Sequence, residues 1–88
     1  MKPLNYAILK YFTKVEKASA DDVMNALKGE YSSFKAFNKK DIADALMTAE
    51  ANGLIEEIED DLDENSELVI YYQASEESKK TINSFIND

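Results

Sequence analysis

Apolar residues recur at helical spacing from the start of the chain. Leu4, Ala7, Ile8, Tyr11, Phe12 and Val15 fall on one face of a helix. Pro3 suits a first helical position, where its missing N–H costs nothing, so the pattern predicts helix 1 over residues 3–14. A second helix is expected over residues 20–30. Ser19 stands where a cap belongs, with Asp22 three residues on in the place of a capping-box acid. Val23, Ala26, Leu27 and Glu30-Tyr31 continue that helix, with Gly29 offering a stop. The connector YSSFKAF follows, with Phe34 and Phe37 expected to anchor it by packing on the core. Asn38 then caps a third helix over residues 39–51, with Asp41 in its first turn and Ile42, Ala45, Leu46 and Ala49 as its buried stripe. Asn52-Gly53 ends it, because the residue after a last turn adopts a left-handed conformation that Gly or Asn tolerates.

Beyond Leu54 the period changes from helical to alternating. Two β-prone runs, 55–59 and 67–73, flank polar turn residues and predict a hairpin over residues 54–73. Ser75, with Glu76 and Glu77 in the first turn, opens a last helix over residues 76–86 that carries Ile82, Phe85 and Ile86. The expected class is mainly α with a small β-hairpin (α+β), one domain across residues 1–88 with no internal repeat.

Composition removes several chemistries. The 88 residues hold no Cys, His, Trp or Arg, and all ten basic residues are Lys. No disulfide framework, thiol nucleophile or zinc ribbon can be built without Cys. With no Gly-rich phosphate loop and no paired carboxylates in a pocket, no enzymatic step, small-molecule substrate or cofactor is expected. No run approaches the length of a membrane span, and Lys10 interrupts the apolar start too early for a signal peptide, so a soluble, cytoplasmic protein is expected.

The net charge of −8 is local. Glu56, Glu57, Glu59, Asp60, Asp61, Asp63, Glu64 and Glu67 crowd one short stretch that holds no Lys, and the rest of the chain is balanced. Residues 1–40 are mildly basic, with eight Lys against Glu16, Asp21, Asp22 and Glu30. The acidic stretch begins like a calcium loop, with Asp61, Asp63 and Asn65 at the first, third and fifth places. That motif needs Gly at its sixth place and Glu at its twelfth, where this chain has Ser66 and Tyr72. The β-branched and aromatic run that follows belongs to a strand, so a hairpin is expected and no metal site.

The stretch NKKDIADALMTAEANGLIEE, an acidic hairpin and then IYYQASEESKKTINSF resemble the small winged-helix regulators of the MarR and PadR kind. Residues 49–55, AEANGLI, stand where those families close the recognition helix, and residues 72–78, YQASEES, stand at the end of the wing strand. Ala74 and Ser78 depart from the family's Leu and Gly there. The resemblance implies a winged helix-turn-helix fold and a DNA-binding transcriptional regulator, with helix 3 in the major groove. On this chain Lys35, Lys39 and Lys40 would meet phosphates, and Asn38 or Thr48 a base edge. Lys14 and Lys17 would extend the basic patch. The outward face of helix 3 would be Lys39, Lys40, Asp44, Met47, Thr48 and Ala51.

Charge opposes that reading. The planar Arg fork is absent, Asp41 and Asp44 lie on or beside the reading helix, and an acidic wing repels a phosphate backbone. The alternative is a protein-interaction winged helix, with the eight hairpin carboxylates as its contact residues. Its partner would be a basic protein surface or the Lys-rich half of a second copy, and apolar residues on the last helix would suit a two-fold homodimer.

Overall fold

The computed structural model describes residues 1–87. Among these the chain forms α1 (Leu4–Phe12), α2 (Ala20–Tyr31), α3 (Lys39–Ala51), β1 (Glu56–Leu62), β2 (Leu68–Gln73) and α4 (Glu76–Phe85). β1 and β2 make one antiparallel hairpin, so the α+β class expected from the pattern is the class observed.

The helix starts are built by the residues that predicted them. Ser19 Oγ accepts from the Asp22 N–H at 3.2 Å, and Asp22 Oδ2 accepts from the Ser19 N–H at 3.0 Å. Asn38 Oδ1 accepts from the Asp41 N–H at 2.9 Å, and Ser75 Oγ from the Ser78 N–H at 3.0 Å. Each cap of this kind contributes about 1 kcal/mol by satisfying an amide that the helix itself leaves unpaired. α3 closes as expected. Gly53 has φ +76, its N–H donates to the Glu50 carbonyl at 2.9 Å, and the Leu54 N–H reaches back to Ala49 at 3.0 Å. This is the paired-bond helix ending that needs a left-handed residue.

Three boundaries differ from the pattern. Pro3 caps α1 from outside, its carbonyl accepting from the Ala7 N–H at 3.0 Å, and the helix stops at Phe12 instead of reaching residue 14. The backbone N–H and hydroxyl of Thr13 both turn back onto the Lys10 carbonyl, at 3.0 and 2.7 Å. Gly29 does not stop α2. The helix runs on to Tyr31, whose ring is buried and whose hydroxyl donates to the Lys2 carbonyl at 2.6 Å. Burying that ring outweighs the penalty of about 1 kcal/mol for glycine within a helix. β1 extends to Leu62, so Asp60 and Asp61 lie in the ladder and not in the turn, and Ile58 is bulged between the pairs Glu57↔Tyr72 and Glu59↔Tyr71.

Phe12, Val23, Ile42, Leu46 and Ile82 are completely buried, and Ile8, Ala18, Ile55, Tyr72 and Ala74 complete the interior. The stripes predicted for helices 1 and 3 supply half of the core cluster, Ile42, Leu46 and Ala49 all facing inward. Of the two connector aromatics, Phe37 packs against the core. Phe34 stays 40% exposed and meets Tyr31 edge-on, with ring centroids 4.9 Å apart.

Two contacts between distant segments hold the layers together. Ala18 N–H donates to the Tyr72 carbonyl at 3.0 Å and Tyr72 N–H returns the bond at 2.9 Å, so β2 is flanked by β1 on one side and by residue 18 on the other. Lys10, 7% exposed, reaches from α1 to Asn83 Oδ1 at 2.5 Å and to the Ile86 carbonyl at 3.0 Å, which fastens α4 to the body. No helix among the described residues is long and apolar enough to cross a membrane.

Burial raises the pKa of Tyr72, Tyr31 and Tyr11 above the ordinary phenol value, with lesser help from Glu50 and Glu57, from Glu30 and from Asp22 respectively. The folded protein therefore keeps phenolic protons that the unfolded chain loses near pH 10. Their contribution is intact below about pH 10 and is lost as pH rises through the elevated values, by at most about 1.4 kcal/mol per phenol per pH unit. Denaturant melts from pH 8 to 11.5 are expected to be flat up to about pH 10 and then to fall, and Tyr72→Phe is expected to flatten the fall.

Candidate functional site

α3 presents a ridge between two clefts. Lys39, Lys40, Asp44, Met47, Thr48 and Ala51 are all exposed, as the helical spacing predicts. The candidate DNA-contacting groups on and beside this ridge have local partners. Lys39 Nζ lies 3.3 Å from Asp21 Oδ2, and Lys40 Nζ lies 3.2 Å from Asp44 Oδ2. Both pairs face solvent, where such contacts contribute about 0–1 kcal/mol, so they do not lock the lysines away. They do leave the ridge close to neutral.

Asn38 is engaged at both ends of its amide. The oxygen caps α3, and the Nδ2 group donates to Asp41 Oδ2 at 2.9 Å and to the Lys35 carbonyl at 3.3 Å. The Thr48 hydroxyl donates to the Asp44 carbonyl one turn back, at 3.0 Å. Lys35 is exposed just before the cap. Lys14 and Lys17 do not join these residues. Lys14 lines a cleft between α1 and α2 with Lys2, Tyr11 and Glu30. Lys17 lies on the hairpin, 2.5 Å from Glu59 Oε1 and 4.9 Å from the centre of the Tyr71 ring. The hydrogen bond to Glu59 is the main cause that raises the Lys17 ammonium above its usual value.

The hairpin carries all eight candidate interaction carboxylates: Glu56, Glu57, Glu59, Asp60 and Asp61 on β1, and Asp63, Glu64 and Glu67 at the turn. Side chains alternate across a ladder, and directly opposed residues share a face. The pairs Leu62↔Leu68 and Asp60↔Ile70 therefore lie on one face, and Asp61↔Val69 and Glu59↔Tyr71 on the other. The first face turns toward α3 and the second holds Lys17. The outer edge of β1 is partly blunted, because Glu50 Oε2 accepts from the Glu57 N–H at 3.1 Å and Asp61 Oδ1 from the Leu62 N–H at 2.8 Å.

Asp63 organises the turn. Its Oδ1 accepts from the N–H groups of Asn65 and Glu67 at 2.8 and 3.0 Å, its carbonyl accepts from the Ser66 N–H at 2.9 Å, and Ser66 takes φ +62. This is a type I turn followed by a left-handed residue. Residues 61–72 thus form a strand end, a turn and a second strand. Because L residues resist positive φ, Ser66→Gly is expected to stabilise the protein by about 0.5 kcal/mol in urea melts, the relief of strain exceeding the added freedom of the unfolded chain.

Between α3 and β2 lies a cleft of about 140 Å³, walled by Ala43, Leu46, Met47, Leu68, Ile70 and Tyr72, with Asp21 and Lys39 at its rim. Leu46 and Tyr72 belong to the core, so the floor is rigid, whereas Met47 is 52% exposed and Leu68 is 60% exposed. The sequence pattern did not single out Leu62 and Leu68. Their equal distance from the turn is the signal that pairs them across its base. On the far side of α3 a second cleft of about 420 Å³ runs along Asn5, Leu9, Asp41, Asp44, Thr48 and Asn52. A separate apolar contact joins α1 to α4, where Tyr6 and Phe85 meet edge-on at 6.3 Å and both remain about half exposed. No family model matches the chain, and no curated protein matches it.

Proposed function

We propose that this chain is a winged-helix domain whose working surface, α3 together with the hairpin, binds protein in preference to duplex DNA. The element order supports the winged-helix reading, as does the two-way bond between Ala18 and Tyr72, a single β-bridge beside the wing. The observation that carries the choice of partner is the lining of the cleft between α3 and β2. A phosphate backbone laid between helix and wing would meet Met47, Leu68 and Ile70, with Asp21 at the rim and Asp60 on the same hairpin face as Leu68.

Magnitudes favour the same choice. Two unit charges about 4 Å apart in water interact by about 1 kcal/mol. Lys35, Lys39 and Lys40 therefore supply only a few kcal/mol of phosphate attraction, and hairpin carboxylates beside the same backbone cancel it. A basic polypeptide reverses every sign, so attraction to the hairpin adds to apolar contact in the cleft.

DNA binding is the second reading, favoured by the open position of Lys40, whose side chain is 84% exposed at the start of α3. Two titrations at low salt decide between them, one with a labelled mixed-sequence duplex and one with a labelled Lys-Ala peptide. The peptide is expected to bind, to weaken with salt, and to lose at least about tenfold in affinity when Asp60, Asp61, Asp63 and Glu64 become Asn or Gln. The duplex is expected to show no binding. Duplex binding that disappears with Lys39→Ala and Lys40→Ala would overturn the protein-partner reading.

A further inference from the structure

We infer that the cleft between α3 and β2 is an anchor pocket for one bulky apolar side chain, Phe or Leu, presented by a lysine- or arginine-bearing segment of a partner protein. This rests on the protein-partner reading above and names the feature that would make such binding selective. Charge alone attracts any basic chain. A pocket sets register and rejects chains that lack the right side chain.

Size and lining define the occupant. A volume of about 140 Å³ is close to that of apolar cavities, about 150 Å³, that stay dry and accept a benzene ring. Ala43, Leu46, Met47, Leu68 and Ile70 make the lining mainly apolar, with Ser19, Tyr72 and the paired Asp21 and Lys39 as its polar members. The buried floor of Leu46 and Tyr72 is preformed, so a ring entering the cleft costs little reorganisation. Met47 and Leu68 form flexible lips. The methionine thioether adapts its shape to an incoming ring and makes favourable contact with it.

The surroundings define what flanks the anchor. At one rim Asp21 is already paired with Lys39, whereas Asp60 lies on the same hairpin face as Leu62 and Leu68. Among the described residues Lys17 pairs with Glu59 on the opposite face, and Asp60, Asp63, Glu64 and Glu67 form no ion pair. The partner segment therefore carries its basic residues on the hairpin side of its apolar anchor. An added β-strand is the wrong form for it, because side chains already take the Glu57 and Leu62 amides on the outer edge of β1.

Two alanine-lysine peptides of equal charge test the inference, one with a single central Phe and one with Ala in its place, each titrated into the intact protein at low salt. The Phe peptide is expected to bind at least about tenfold more tightly, the effect of one well-packed anchor. Met47→Ser combined with Leu68→Ser, both more than half exposed, is expected to erase the preference while leaving the affinity of the Ala peptide unchanged. Equal affinities within about twofold would overturn the pocket yet leave the hairpin as a basic-protein surface, and absence of binding by both peptides would also overturn it. The duplex titration judges the underlying reading separately. If the protein instead self-associates and Met47→Ser with Leu68→Ser abolishes the association, the cleft serves a second copy, and the inference of a separate partner fails.

Discussion

Phe12→Ala is expected to lower the unfolding free energy by about 3–5 kcal/mol, the range for removing a buried aromatic ring. The Phe12 ring is fully buried at the end of α1 and belongs to the same interior as Ile8, Val23, Leu46 and Tyr72. These neighbours come from three helices and the hairpin, so no single element can shift to refill the space. A small domain has only about 5–15 kcal/mol in all, and an 88-residue chain belongs near the lower end. The expected result is therefore a protein at the margin of folding, with the urea midpoint reduced by half or more. Phe12→Leu separates lost volume from lost fold, since it keeps most of the apolar surface and is expected to cost about 1–2 kcal/mol. A loss below about 1 kcal/mol for Phe12→Ala would mean that the core repacks freely, against the rigid floor proposed for the cleft.

Ala18→Pro is expected to cost about 2–5 kcal/mol and to loosen the hairpin selectively. Proline removes the N–H that donates to the Tyr72 carbonyl at 3.0 Å, and an orphaned buried carbonyl costs about 1–3 kcal/mol. Residue 18 is completely buried, so the ring must also displace packed neighbours at about 1–3 kcal/mol more. The β1–β2 ladder itself is untouched. What weakens is its attachment to the helices, and with it the spacing between Leu68 and Met47. Amide exchange is expected to speed up at Tyr72 well beyond its change in α2 and α3. Equal acceleration everywhere would show that the bridge acts only through global stability.

The outlines of α3 and its neighbours were legible because each is locally encoded. Asn38 and Gly53 mark the two ends of α3, and Ile42, Leu46 and Ala49 mark its inner face. Where local signals misled, a distant partner outweighed them. Gly29 offers a stop inside a helix expected to reach residue 30, yet α2 passes through it because Tyr31 finds the Lys2 carbonyl. Asp60 and Asp61 read as turn residues, yet they join the ladder because Ile70 and Val69 stand opposite them. Lys17 reads as part of a basic patch, yet it lies against Glu59 and Tyr71 on the hairpin.

The candidate surface divides in the same way. Its acidity, its lack of Arg and its single run of eight carboxylates are properties of composition and order, readable without coordinates. So are the caps and the helical stripes, because they depend on residues within one or two turns of each other. Which face of the hairpin turns toward α3 depends on ladder register and on the bond between Ala18 and Tyr72, residues far apart in the chain. Only that packing brings Met47, Leu68 and Ile70 around one cleft and places Asp60 beside it. Nothing local to Met47 or to Leu68 encodes the distance between them, so the acidic hairpin was visible in the sequence and the apolar pocket behind it was not.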